Sequence, residues 1–135
     1  MRKIPTDLKI LNTIYYQYYE TFTNFSARGV ERSNKIHVPI EISLISKKLK
    51  VDDDIIFGRL YYHMNKKYGH QEAENSYINI FCMRVGADRH CIQFPLMASV
   101  LSELQSENSR FRWATTIAST SLVISLISLL IGILR

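Results

Sequence analysis

The chain has 135 residues, with 17 basic and 12 acidic side chains, a net charge of +5 and 47% hydrophobic content. That length allows one modest core rather than several domains, and so mild a charge suits a nucleic acid or an anionic membrane surface without demanding either. Two cysteines are too few for a disulfide framework.

Met1 to Pro5 is a short basic lead with no apolar run of the signal-peptide kind. From Thr6, the residues Leu8, Leu11, Tyr15, Tyr18, Phe22 and Phe25 recur at spacings of three and four, which predicts a helix capped by Thr6 or Asp7. Tyr15, Tyr16, Tyr18 and Tyr19 are dense enough for a base-stacking platform. Their helical spacing favours core packing for Tyr15 and Tyr18, with Tyr16 and Tyr19 facing outward.

Ser26 to Asn34 is polar, contains Gly29 and is expected to be a loop. Lys35 to Val38 suits a short strand. Pro39 is placed in the first turn of a second helix running to Lys50, where its missing N–H costs nothing. Asp52 to Asp54 then bring three carboxylates to the start of a third helix, matching the positive end of its dipole. Phe57, Leu60, Tyr61, Met64 and Tyr68 form its expected buried stripe. Arg59, His63, Lys66 and Lys67 lie on the opposite face, and Gly69 is the expected left-handed cap.

After a polar loop, His70 to Asn75, two alternating runs follow: Tyr77 to Val85 and Arg89 to Phe94. Gly86 and Ala87 between them have the composition of a type II′ hairpin turn. Such a turn sets Arg84 opposite Arg89 near the tip, where two like charges weaken the ribbon unless an anion such as phosphate sits between them. The same register sets Cys82 opposite Cys91 at a non-hydrogen-bonded position, close enough for a redox-sensitive pair. Two inert thiols in a reducing compartment are the alternative.

Pro95 ends the second strand, and Leu96 to Arg112 is expected to be a helix. From Trp113 to Leu134 the chain carries no charge and no proline. As a helix this stretch covers about 33 Å, enough to cross a bilayer's hydrocarbon core. Arg110 and Arg112 precede it and only Arg135 follows, which predicts a cytoplasmic N-terminal region and a tail-anchored, single-pass protein. Ala114, Ala118, Ser121, Ser125, Ser128 and Gly132 recur at spacings of four and three and make one small-residue seam, a surface on which spans self-associate. Followed backward, that seam meets Phe111, Glu107, Leu104, Val100 and Met97.

The order helix, strand, helix–turn–helix, hairpin, helix resembles a winged helix-turn-helix domain over Thr6 to Phe94. The expected class is α+β: a winged-helix-like unit of three helices plus a hairpin over 1–95, a juxtamembrane helix over 96–112 and a transmembrane helix over 113–134. The resemblance implies that the third helix enters a DNA groove while the wing touches phosphates. Arg59, His63, Lys66, Lys67, Arg84 and Arg89 would then contact the nucleic acid, and the chain would be a membrane-tethered DNA-binding regulator or DNA tether. Carboxylates at the helix's leading end oppose that role. The alternative is a membrane-bound adaptor or sensor that docks a cytosolic protein, with a span that oligomerises and perturbs the bilayer. His37, His63, His70 and His90 are scattered, no spacing matches a zinc site, and there is no phosphate loop or nucleophile elbow. A non-enzyme without metal or cofactor is therefore expected.

Overall fold

A computed structural model describes residues 3–25, 32 and 34–135. Of the loop expected over 26–34, all but Arg32 and Asn34 lies outside the described residues. The architecture is α+β, and the chain divides into two compact units, Met1–Leu101 and Ser102–Arg135.

Helix α1 spans Asp7–Thr23, and the Thr6 side chain caps it by accepting from the Lys9 N–H. Its buried residues are Asp7, Ile10, Leu11 and Ile14, a stripe rotated away from the one expected through Leu8 and Tyr15. Both stripes have helical period, and packing chose between them. The rings of Tyr15 and Phe22 stack at 5.5 and 4.5 Å on Phe94, at the flank of the buried face. Tyr16 and Tyr19 are exposed. Beyond α1, the Arg32 guanidinium donates to the carbonyls of Thr21, Asn34 and Lys35 and lies 4.8 Å from the Phe25 ring centroid. One side chain thus ties the end of α1 to the lead of the first strand.

Strand β1 is His37–Pro39, so Pro39 belongs to a strand and not to the second helix. The sheet order β1-β5-β4 explains why proline is tolerated. The neighbours of Pro39 bond inward: the Ile40 N–H donates to His90 O, while position 39 faces the open edge, where no N–H is required. Helix α2 follows at Ile42–Leu49 and ends on Lys50, which adopts the left-handed conformation with φ 57°.

Asp52 caps α3 (Asp53–Gly58) by accepting from the Asp54 N–H at 2.9 Å. The helix continues through a π-helical stretch, Arg59–Met64, into α4, Asn65–Tyr68. Its buried residues are Ile56, Leu60, Met64 and Asn65, whereas Tyr61, expected inside, is exposed. The Asn65 amide donates to Phe81 O and accepts from Phe81 N–H, both at 2.8 Å, and so substitutes for a strand partner and fixes helix against sheet. Gly69 is extended, not left-handed. Its requirement is space: a Cβ there would stand 2.4 Å from Asn65 O and 2.8 Å from the Tyr77 ring.

The expected loop His70–Asn75 holds strand β2 (His70–Ala73), and the expected strand Tyr77–Val85 is broken at Asn79 and Ile80, so that its first residues belong to β3 (Ser76–Ile78), which pairs with β2 in a second hairpin. The residues of β2 are all exposed, so no apolar alternation announces it. The main hairpin joins β4 (Phe81–Val85) to β5 (Asp88–Gln93) in the register that the turn dictates: Cys82 opposite Cys91 and Arg84 opposite Arg89. Gly86 has φ 60°, as the first central residue of a II′ turn requires. Val38, Ile92 and Phe81 align across the three strands, and all three are fully buried.

Helix α5 runs over Phe94–Leu134 with Pro95 in its first turn. Phe94, Met97, Val100 and Leu101 complete the core of the first unit. Met97 and Val100 are therefore committed to that core and cannot extend the small-residue seam. The same helix is long and apolar enough to cross a membrane, and none of its most apolar stretch is buried.

Gly69→Ala should cost about 1–3 kcal/mol through overpacking. A lowered urea midpoint with unchanged slope is the expected result, and an unchanged midpoint would show that Tyr77 yields without cost.

Candidate functional site

The basic face of the third helix is organised around a carboxylate that sequence reasoning treated only as a cap. Asp7 is 8% exposed. One of its oxygens pairs with the Arg59 guanidinium. The other accepts from the Tyr68 hydroxyl at 2.8 Å and lies 3.4 Å from His63 Nε2 and 3.7 Å from Lys67 Nζ. Residues 59, 63 and 67 are four apart and would drift around an ordinary α-helix. The i→i+5 winding of Arg59–Met64 turns the chain less per residue and offsets that drift, so all three side chains reach one acid. Three of the four basic residues assigned to DNA on this helix are thus drawn to an internal anion. Arg59 Nε is buried without a hydrogen-bond partner among the described residues, because the guanidinium is aimed by its terminal nitrogen.

Lys66 faces elsewhere. With Tyr61, Tyr62, Asn65, Tyr77 and Asn79 it lines an open cleft of about 330 Å³. Tyr62 is 69% exposed, and Tyr61 and Tyr77 are exposed beside it. Tyr61 packs between Phe57, at 5.4 Å, and Tyr62, at 5.0 Å. This aromatic surface escaped the sequence because Tyr61 was assigned to the core and β3 was not expected. The only available signal was the Tyr61–Tyr62 pair, since adjacent helix residues cannot both point inward.

At the hairpin tip, Arg84 and Arg89 are directly paired across the strands, and both are exposed. Below them an open groove of about 700 Å³ runs between the start of α3 and the hairpin. Asp53, Asp54 and Glu41 meet Arg89, His90, Phe57 and Met83 along it. The leading end of the third helix is therefore acidic in space as well as in sequence.

Cys82 and Cys91 are free thiols on opposed strands. Phe94 N–H donates to Ile36 O and Ile40 N–H to His90 O, so even-numbered residues at this end of β5 bond toward β1. Gln93 N–H donates to Ile80 O, so the odd-numbered residues bond toward β4. Cys91 accordingly holds a hydrogen-bonded position, not the non-hydrogen-bonded one expected. His90, at φ 53°, interrupts the regular alternation between this end and the turn. Burial, with Asp88 and Cys82 adding to it, pushes the Cys91 thiol up to about 11, and burial also raises Cys82. Neither sulfur is an activated thiolate near neutral pH.

In the apolar helix, the hydroxyls of Thr115, Thr116, Thr120, Ser121, Ser125 and Ser128 each donate to the carbonyl four residues back, at 2.8–2.9 Å. These six of the seven Ser and Thr hydroxyls that weaken the hydropathy of the stretch are thereby satisfied within the helix. The region just before it holds a shallow cleft lined by Ser109, Arg112, Trp113 and Thr116. Among the described residues, no three His, Cys, Asp or Glu side chains converge as metal ligands.

Because the Cys91 thiol is held above its ordinary 9.0, the folded state keeps a proton that the unfolded chain releases first. Its contribution to stability is complete below pH 9.0 and is lost as pH rises toward about 11. Thermal melts across that range should show an alkaline decline that is shallower in Cys91→Ser; equal declines would assign it to another group. No family model, no curated protein and no solved structure matches the chain.

Proposed function

We propose that this chain is a single-pass membrane protein whose N-terminal unit is a winged-helix-like adaptor that docks a protein partner on its aromatic cleft. The observation that carries this is the convergence of Arg59, His63 and Lys67 on Asp7. A helix that reads DNA needs its cations turned outward and a leading end that tolerates phosphate. Here Arg59 is turned inward onto an internal acid that His63 and Lys67 also approach, and the leading end carries Asp52, Asp53 and Asp54, all exposed. The surface of the helix and its neighbouring hairpin also exposes Tyr61, Tyr62 and Tyr77, a residue type enriched at protein interfaces. The winged-helix kinship is supported by the element order and by β1 pairing with the last strand of the main hairpin.

Arg110 and Arg112 beside the apolar stretch support a cytoplasmic N-terminal unit. Its seam of Ala114, Ala118, Ser121, Ser125, Ser128 and Gly132 supports a homo-oligomer formed by close backbone packing. With the serine hydroxyls already bonded within the helix, van der Waals contact and not interhelical hydrogen bonding is the expected glue. Replacing both Ser125 and Gly132 by Leu should separate the pair in a membrane two-hybrid assay; an unchanged signal removes the seam.

A second function keeps one specific support: the Arg84–Arg89 pair, which a phosphate would relieve. A DNA tether binds duplex steeply with salt and loses that binding when both arginines become Glu. The two functions separate in one experiment on the full chain in detergent. A photo-crosslinking residue at position 62 should capture a discrete protein partner that is lost in Tyr61→Ser/Tyr77→Ser and retained in Arg84→Glu/Arg89→Glu. Salt-sensitive duplex binding with no capture at position 62 would overturn the adaptor in favour of the tether.

A further inference from the structure

A patch of the first unit far along the chain from the aromatic cleft has a composition that none of the features above uses. Lys3, Ile4, Pro5, Thr6 and Lys9 meet Leu49 around a shallow cleft of about 170 Å³. Leu49 is the last residue of α2, and its neighbours Lys47 and Lys50 are exposed. The left-handed turn at Lys50, φ 57°, ends the helix there and leaves that lysine at its carbonyl end, where a cation is favoured. Lys3 and Lys9 thus line the cleft, and Lys47 and Lys50 are exposed on either side of Leu49 in sequence. Of the acids near these lysines in sequence, Asp7 is buried on Arg59, while Asp52 is exposed and caps α3. Among these lysines, Ile4 is 60% exposed.

We infer that this face is a second membrane contact, seating the first unit on anionic lipid. The chemistry supports lipid over other polyanions. Lysines spaced around an exposed branched aliphatic residue match a surface that places its ammonium groups among headgroup phosphates and its apolar residue at the acyl boundary. No aromatic ring lines this cleft, so a single-stranded nucleic acid would find nothing to stack on. Tethering removes the need for high affinity. Once the apolar helix holds the chain in the bilayer, the patch meets headgroups at high effective concentration, and a few lysines suffice. The inference rests on the span proposed above.

The test uses the full chain in nanodiscs of phosphatidylcholine alone or mixed equally with phosphatidylglycerol, neither of which carries a reactive amine. Lysines are acetylated with acetic anhydride and read by peptide mass spectrometry, only on protein that co-elutes with the discs. The expected result is a several-fold fall in acetylation at Lys3, Lys9 and Lys50 in the anionic discs. High salt should reverse it, and Lys35 and Lys66 should stay unchanged. Equal rates in the two discs, or a uniform fall at all five lysines, overturns the contact. So does protection of the same three lysines by an added oligonucleotide but not by phosphatidylglycerol. Protein that fails to co-elute with discs refutes the span itself, and the lipid face with it.

Discussion

The burial of Asp7 against Arg59 is the constraint on which the rest of the first unit depends. A carboxylate removed from water is costly unless it is paired and its remaining lone pairs are satisfied. Arg59 and Tyr68 meet that requirement from one helix, Lys67 adds positive charge beside it, and the His63 ring lies 3.4 Å away. To deliver these groups together, the helix departs from α geometry between Arg59 and Met64. That departure also sets where Asn65 falls, and Asn65 locks the helix to Phe81 of the sheet. One acid in the first turn of α1 therefore determines the face that the third helix buries, the face that it exposes, and its attachment to the strands.

The functional consequence is a redistribution of charge. By sequence the third helix has a basic side and the hairpin a basic tip, which together suggest nucleic acid. In space Arg59 is turned inward to Asp7 while His63, Lys66 and Lys67 stay exposed, and the helix's leading end and the adjoining groove carry Asp53, Asp54 and Glu41. Tyr61, Tyr62 and Tyr77 add an exposed aromatic surface on this side, and Lys3 and Lys9 at the start of α1 meet Leu49 at the end of α2. An aromatic docking cleft and a lysine-rich lipid face are consistent with an adaptor held at a bilayer.

Local rules written into residues were legible in the sequence. Thr6 and Asp52 are caps because short oxygen side chains precede apolar periodicity. Gly86 set the turn and with it every cross-strand pair from Val85–Asp88 to Phe81–Ile92. The apolar helix followed from length and absence of charge. What was not legible depended on tertiary context. A first-turn Asp has the same sequence signature whether it merely suits a dipole or is buried on an arginine. Pro39 suits a helix start or an edge strand equally, and only the sheet order decides. Gly69 was read as a conformational requirement when it is a steric one, set by the Tyr77 ring. Strand β2 has no apolar pattern to detect, and the alternation from Tyr77 to Val85 does not signal the break between β3 and β4. The candidate site shares this limit, since the acid that pairs with Arg59 lies 52 positions away on α1.

The central claim is that Arg59 belongs to Asp7 and not to an external phosphate. A double-mutant cycle on chemical stability, comparing Asp7→Asn, Arg59→Met and the double variant with the parent chain, tests it directly. A partly buried pair of this kind predicts a coupling of about 1–3 kcal/mol, with the double variant less destabilised than the sum of the two single changes. Additive effects, with no coupling between the two positions, would contradict the account and return Arg59 to the surface as a group available for binding.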